Sequence, residues 1–221
     1  MAGLRIQRPI TIMYPQAGNV FWVKTMRSDF SLTEAATVTG MKVKMVHKAV
    51  ENQIVEVERT ERTALSANEL LCLQLEGELA EFLPLNVRRR VIRDVARQPR
   101  IERYRASDVL VVEVASARRR LASSLRRLNL ARRAVTSNPD IMGGELVIKG
   151  TRVPVHSVAA MVEQGASVAD ILAGYPSLSS EQIELAVIYA SAYPQRGRPR
   201  KQPWGDTPVR LVKIALKDLG D

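Results

Sequence analysis

The sequence contains little of what disulfide-stabilised and metal-binding proteins need. Its 221 residues include one cysteine, Cys72, and two histidines, His47 and His156. One thiol cannot form an internal disulfide, and so few nitrogen and sulfur ligands do not make a zinc site. Aromatic residues make up only 5% of the chain, so we expect an aliphatic core. Cys72 lies in an apolar segment and is expected to belong to that core.

Long apolar runs are also missing. Arg8, Pro15 and Gly18 interrupt the candidate signal-peptide segments near the start. No later run reaches the roughly 20 apolar residues of a membrane-spanning helix. We therefore expect a cytoplasmic protein without a membrane segment. Either Met1 or Met26 could be the physiological start, because the segment after Met26 has the composition of a domain beginning.

Catalytic groupings and cofactor motifs are absent as well. Neither histidine is expected beside a nucleophile, and the chain has no phosphate-binding GxxxxGK[ST] loop. Glu76, Glu78 and Glu81 recur in one helical segment, where a solvated helix face explains them better than a metal site. We predict a protein that is not an enzyme and that needs neither a metal nor another cofactor.

Positive charge is abundant but unevenly distributed, within a formal net charge of +10. Lys and Arg number 9 against 10 Asp and Glu over residues 1–87, 15 against 4 over 88–136, 2 against 6 over 137–193, and 7 against 3 over 194–221. The central block and the tail are therefore expected to meet polyanions or acidic proteins at two separate places. An arginine-rich helix with a solvated face would give the central block the same composition.

Residues 30–55 have the spacing of a helix-turn-helix. Ser31 and Glu34 fit the capping box of a first helix, and Gly40 fits the turn after it. The apolar positions of the second helix are Val43, Val46, Ala49 and Val50, and its other side presents Lys42, Lys44, Met45, His47 and Lys48. Lysines on such a helix suit phosphates and guanine edges in a DNA major groove, so we predict DNA binding there. A helical hairpin with a solvated lysine face is the alternative.

The next part of the chain alternates between strand and helix patterns. Period-two alternation over 54–65 predicts a strand or wing, and Ser66 caps a helix that ends before Pro84. A basic amphipathic helix is predicted over 86–98 and a strand over 109–114. A second arginine-rich helix follows near 116–134, where we expect it to connect two domains. Its apolar positions are Leu121, Leu125, Leu128 and Leu130.

Charge and composition change at residues 136–139, where we place the start of a small domain. Two extended runs, 146–148 and 153–155, flank a Gly-containing loop and predict a tight hairpin. Serine-capped segments then predict three short helices. A domain of about 55 residues is marginally stable alone, so we expect a second copy to pair with the hairpin. The hairpin residues are Val147, Ile148, Gly150, Thr151, Arg152 and Val153.

Residues 138–193 contain a specific series of short motifs: Gly143-Gly144, Val147-Ile148, Gly150-Thr151-Arg152-Val153-Pro154-Val155, Ile171-Leu172, Tyr175-Pro176 and Tyr189-Ala190. With these motifs the segment resembles the family known as domain of unknown function 433. Leu146 stands where the family usually has proline. Family members are typically paired with PIN-like ribonuclease toxins, and longer ones with an added helix-turn-helix resemble VapB-type antitoxins. The resemblance implies an antitoxin that neutralises such a toxin and represses its own operon, as a homodimer or a toxin–antitoxin complex.

The tail over 194–221 is rich in proline and glycine, which predicts an extended arm. Its basic residues and its anchor are Arg196, Arg198, Arg200, Lys201 and Trp204. These side chains suit docking against the carboxylates of a PIN-like nuclease site. Residues 196–200 also resemble an AT-hook, which would bind the minor groove of A·T-rich DNA, and a solvated tail is a third interpretation.

The sequence therefore predicts a mainly α protein with a short β wing and hairpins. Its predicted parts are an N-terminal extension (1–28), a MerR-like winged helix-turn-helix domain (29–115), an arginine-rich connecting helix (116–136), a small trihelical antitoxin-family domain (137–193) and an extended basic toxin-binding arm (194–221). Two alternatives stay open. One is a stand-alone transcriptional regulator with an AT-hook-like tail. The other is an RNA-binding protein that uses 88–133, although we expect no exposed aromatic residues for base stacking in that block.

Overall fold

The protein is mainly helical, as predicted. The structure, a computed structural model, describes residues 30–55, 64–98 and 100–195. Over these ranges it has eight α-helices: α1 Leu32–Thr39, α2 Val43–Glu51, α3 Ala67–Leu79, α4 Leu85–Ala96, α5 Val114–Arg133, α6 Val155–Glu163, α7 Val168–Gly174 and α8 Ser180–Ala192. Two antiparallel pairs of strands accompany them: β1 Tyr104–Arg105 with β2 Val111–Val112, and β3 Val135–Thr136 with β4 Val147–Ile148. The predicted extension 1–28, most of the predicted wing and the arm beyond Gln195 lie outside the described residues.

The first two helices form a compact pair. The Ser31 hydroxyl accepts a hydrogen bond from the Glu34 backbone N–H at 3.2 Å, and the Glu34 carboxylate accepts one from the Ser31 N–H at 2.7 Å. This reciprocal capping box, which was predicted, starts α1. Gly40 ends it with φ of 69°, a left-handed conformation that costs glycine little. Ala35 and Ala36 are buried, so the backbones of α1 and α2 can approach closely.

Two further helices and a hairpin complete the first core. The apolar sides of α3 and α4 are buried, with Leu70, Leu73, Leu75, Val91, Ile92 and Val95 each at most 1% exposed. Cys72 is buried among them, as predicted. The strand predicted over 109–114 is shorter in the structure, where β2 spans Val111–Val112. Val114 is fully buried and is the first residue of α5. Tyr104 pairs with Val112 across the hairpin.

The arginine-rich helix α5 is part of a core rather than an exposed tether. It contacts α1 and α3 on one side and α8 on another. Leu121, Leu125 and Leu128 are buried as their spacing predicts. Leu130 is 47% exposed, which contradicts its predicted place on the apolar side. The reason is geometric, because two residues at about 100° each carry Leu130 to the opposite face from Leu128.

A second core forms around the predicted glycine-containing turn. Gly150 has φ of 81°, and the Ile148 N–H donates to the Val153 carbonyl at 3.0 Å. An unpredicted pairing adds β3, in which Val135 lies opposite Ile148. The second core consists of Ile148, Val153, Val155, Val158, Ile171, Leu178, Ile183 and Ala186. The predicted serine caps of α7 and α8 are present as complete capping boxes.

Helix α8 joins the two cores. Ile183 and Ala186 lie in the second core, whereas Ala192 at the end of the same helix lies in the first. The Thr33 hydroxyl of α1 donates to the Ala192 carbonyl at 2.8 Å. None of the helices in the described ranges is both long and apolar enough to cross a membrane.

Candidate nucleic-acid interface

Helix α2 is anchored on one side and open on the other. Val46 and Ala49 are at most 2% exposed and hold the helix against α1. The predicted DNA-contacting residues are all exposed on the remaining surface: Lys42, Lys44, Met45, His47 and Lys48. Among the described residues, none of these three lysines forms an ion pair. Val43, the first residue of α2, is 37% exposed.

The open side of α2 has the chemistry of a groove-binding surface. An α-helix with its side chains is about 10–12 Å across, which suits a DNA major groove about 12 Å wide. Long lysine side chains can reach phosphates and guanine edges, and an exposed methionine can contact thymine methyl groups. Met45, at the centre of this surface, is 44% exposed. The predicted residues are thus all exposed on α2 and at its N-terminus.

A buried charged network fixes the helix pair to the rest of the protein. The Glu34 carboxylate, 1% exposed, accepts hydrogen bonds from Arg132 Nη2 at 2.7 Å and from the Tyr193 hydroxyl. Arg132 Nε also donates to the Tyr193 oxygen, and its guanidinium lies 5.9 Å from the ring centroid. The network therefore links α1, α5 and the end of α8.

The protonation of this network follows from its contacts. Burial alone would raise the pKa of Glu34, but hydrogen bonds from Tyr193, Ser31 and Arg132, with the charge of Arg132, hold that pKa below its usual value. Burial and the bond to Glu34 raise the pKa of Tyr193 to about 12. Near neutral pH the carboxylate is ionised and the phenol is neutral. Sequence reasoning assigned Glu34 to the capping box alone, because its partners lie 98 and 159 positions away.

The solvated face predicted for Glu76, Glu78 and Glu81 is wrong for its first member. Glu76 is 5% exposed and accepts a hydrogen bond from the Arg88 guanidinium of α4. Burial raises the pKa of Glu76, while the charges of Arg88 and Arg89 act in the opposite direction. Glu78 instead binds Arg120 of α5 at 2.6 Å. The two carboxylates therefore form ion pairs between helices, from α3 to α4 and from α3 to α5. No group of three His, Cys, Asp or Glu in the described part of the chain could hold a metal ion.

The other predicted site residues are placed differently. Val147, Ile148 and Val153 of the hairpin are buried, Ile148 and Val153 in the chain's own second core. The Thr151 hydroxyl donates to the Ile148 carbonyl at 2.8 Å. Gly150 and Arg152 are exposed. The predicted toxin-binding residues lie outside the described residues: Arg196, Arg198, Arg200, Lys201 and Trp204.

Comparisons with known proteins bear on the second core. A family model described as protein of unknown function (DUF433) matches residues 135–190. The uncharacterized protein y4eO of Sinorhizobium fredii is 45% identical over 108 residues, which is 49% of this chain; the chain spans about half, 48%, of that relative's length.

Two solved structures show partial similarity. A DUF433 member protein from Anabaena variabilis is 30% identical over 34% of this chain and 73% of its own, with a TM-score of 0.27. Rv2018 from Mycobacterium tuberculosis is 13% identical over 72% of this chain and 96% of its own, with a TM-score of 0.32. The family model alone confirms the resemblance found in the sequence, and it does so for the small domain, residues 135–190, as a DUF433 domain.

Proposed function

We propose that this chain is a DNA-binding antitoxin. It neutralises a PIN-like ribonuclease toxin by direct binding through the arm 194–221, and it represses its own operon. The observation that carries the DNA-binding part is the exposed, unpaired lysine face of α2 on a helix whose other side is buried. The antitoxin part is supported by the DUF433 match at 135–190, since the resemblance to that family implies pairing with a PIN-like ribonuclease toxin.

The first core is proposed to be a MerR-like winged helix-turn-helix domain. Support comes from the short turn between α1 and α2 and from the antiparallel bridge between Phe30 and Leu65. That bridge brings together the start of α1 and the chain that follows residues 56–63, where the wing is proposed. The protein acts in the cytoplasm without a cofactor, as a homodimer or in a complex with its toxin.

The DNA-binding part is tested with the full chain and duplex DNA from upstream of its own gene. We expect Lys44→Gln/Lys48→Gln to weaken binding about tenfold or more, since each lost direct contact costs about 1–3 kcal/mol. The matched control is Arg126→Gln/Arg133→Gln, which removes two exposed charges from α5. Equal losses in the two variants, or no loss in either, would overturn the assignment of α2. If the chain binds this DNA and no nuclease partner is found for it, a stand-alone regulator is favoured.

A further inference from the structure

A second basic surface lies on α4 and on the hairpin formed by β1 and β2. We call it the α4–hairpin surface and define it by Arg90, Arg93, Arg97, Arg100, Arg103 and Arg105. All six side chains are exposed. The surface shares no residue with α2 or with the proposed toxin-binding arm. Between residues 85 and 112 the sequence has eight arginines against three acidic residues, so this part of the chain has a large positive excess.

Polar contacts fix the hairpin to α4. Arg90 Nη2 donates to the Ala106 carbonyl at 3.4 Å, and the Tyr104 hydroxyl donates to the Asp94 carboxylate. Arg118 of α5 donates to the Ile101 carbonyl at 3.3 Å. These contacts hold the hairpin, which carries Arg103 and Arg105, beside the part of α4 that carries Arg90 and Asp94. Asp94, the acidic residue of α4, is already occupied by Tyr104.

The pairing of arginines differs between this surface and the helix interfaces. At the interfaces arginines meet carboxylates, in the pairs Arg88–Glu76, Arg120–Glu78, Arg127–Glu184 and Arg132–Glu34. On the α4–hairpin surface, Arg103 alone has an ion-pair partner among the described residues, Glu113 at 2.9 Å. Four members have neither an ion pair nor a side-chain hydrogen bond within those residues: Arg93, Arg97, Arg100 and Arg105. Their guanidinium groups are available to an anion from outside the chain.

We propose that the α4–hairpin surface binds the phosphate backbone of double-stranded DNA, as a contact separate from α2. Planar guanidinium groups bind phosphate oxygens with two parallel hydrogen bonds, which suits a repeated row of phosphates. Such contacts fix the position of a protein on DNA and carry no base specificity. The choice of DNA rests on the proposed function of α2.

Single-stranded RNA fits this surface less well. Its recognition depends on aromatic side chains on which bases stack. Tyr104 is the one aromatic residue of α4 and the hairpin, and it is half-buried with its hydroxyl bound to Asp94. The surface therefore offers positive charge but no aromatic side chain on which a base could stack. Binding to the phosphate backbone of a duplex needs the charge alone.

The test measures the affinity of the full chain for a labelled duplex of random sequence, about 20 base pairs or two helical turns long. Salt is varied between about 50 and 200 mM. The variant Arg93→Gln/Arg97→Gln/Arg105→Gln is compared with Arg119→Gln/Arg126→Gln/Arg133→Gln, which removes the same charge from an exposed side of α5. Circular dichroism confirms that both variants are folded.

We expect the first variant to bind at least tenfold more weakly. The slope of log affinity against log salt should also fall by about 2–3, since each lost phosphate contact lowers it by about 0.9. The α5 variant should keep its slope. Equal losses in both variants would mean that only overall charge matters, and this would overturn the proposal. Tighter binding of an RNA of the same sequence would overturn the choice of DNA.

A third variant separates this inference from the function of α2. If Lys44→Gln/Lys48→Gln keeps full binding while the α4 and hairpin variant loses it, the assignment of α2 fails and the α4–hairpin surface stands. If the lysine variant alone loses binding, the assignment of α2 stands and the α4–hairpin surface is overturned. Loss in both variants supports both contacts.

Discussion

Removing the guanidinium of Arg132 should destabilise the protein far more than removing an exposed one. Arg132→Met removes the guanidinium that pairs with the Glu34 carboxylate, which is 1% exposed. Breaking a buried pair in this way typically costs about 3–5 kcal/mol. The Arg132 side chain is 23% exposed, and Glu34 keeps its bond from the Ser31 N–H. We therefore expect a loss of about 2–3 kcal/mol in the free energy of unfolding.

Urea denaturation followed by circular dichroism measures this loss. With a slope near 3 kcal/mol per molar urea, the midpoint should fall by about 0.7–1 M. The matched control is Arg127→Met on the same helix, whose partner Glu184 binds it at 2.9 Å with both side chains more than half exposed. Exposed pairs contribute less than about 1 kcal/mol, so its midpoint should barely move.

A second substitution tests the cause of the loss. In a Glu34→Gln background the network of Arg132 and Tyr193 no longer contains a buried carboxylate. Arg132→Met should therefore lower the free energy of unfolding much less than it does in the native chain. Equal midpoints for Arg132→Met and Arg127→Met, or an undiminished cost in the Glu34→Gln background, would refute the reasoning.

Three further predictions concern pH, the turn and the core. Because folding lowers the pKa of Glu34, this carboxylate makes its full contribution to the free energy of unfolding above its unfolded pKa of about 4.3. The contribution disappears as the pH falls through the folded pKa. If the urea midpoint of Glu34→Gln falls with decreasing pH in parallel with that of the native chain, this prediction is wrong. Gly40→Ala should lower the free energy of unfolding in urea by about 1–2 kcal/mol, because Gly40 has a φ of 69°. Gly174→Ala should not lower it, because a Cβ at Gly174 meets open space. Equal effects of the two substitutions would contradict the left-handed conformation of Gly40. Leu128→Ala should lower stability by about 2–5 kcal/mol and Leu130→Ala by less than about 1 kcal/mol, and the reverse order would contradict the observed burial.

The features predicted correctly from the sequence depend on residues that are close along the chain. A capping box needs a serine and an acid or amide three positions later, and the pairs Ser31–Glu34, Ser66–Glu69 and Ser179–Gln182 all form it. The exposed side of α2 follows from the spacing of its buried residues. Both signals are set by helix geometry, so they survive in the fold.

The features that were missed depend on distant partners. The capping box accounts for Glu34 in the sequence, and no residue near it along the chain indicates that it contacts Arg132 or Tyr193. The pairing of β3 with β4 involves only two residues on each strand, too few to show alternation. Glu76 carries the pattern of a solvated face, yet it is buried because Arg88 of the next helix meets it. In each case tertiary packing decides what local periodicity leaves open.

The packing of α8 also bears on how the two halves of the chain are connected. Its first half packs in the DUF433 core, and its last residues contact α1 through Thr33 and Glu34. The proposed arm follows directly after these contacts. The helix that carries the arm is therefore attached to the domain that is proposed to bind DNA.

The antitoxin proposal is tested most directly by titrating the ribonuclease activity of the adjacent gene's product with the full chain. We expect inhibition to be complete near equal molar amounts. It should be lost in Arg196→Gln/Arg198→Gln/Arg200→Gln and kept in Arg119→Gln/Arg126→Gln/Arg133→Gln. If the nuclease stays fully active at every ratio while the chain still binds its own upstream DNA, the protein is a stand-alone regulator and not an antitoxin.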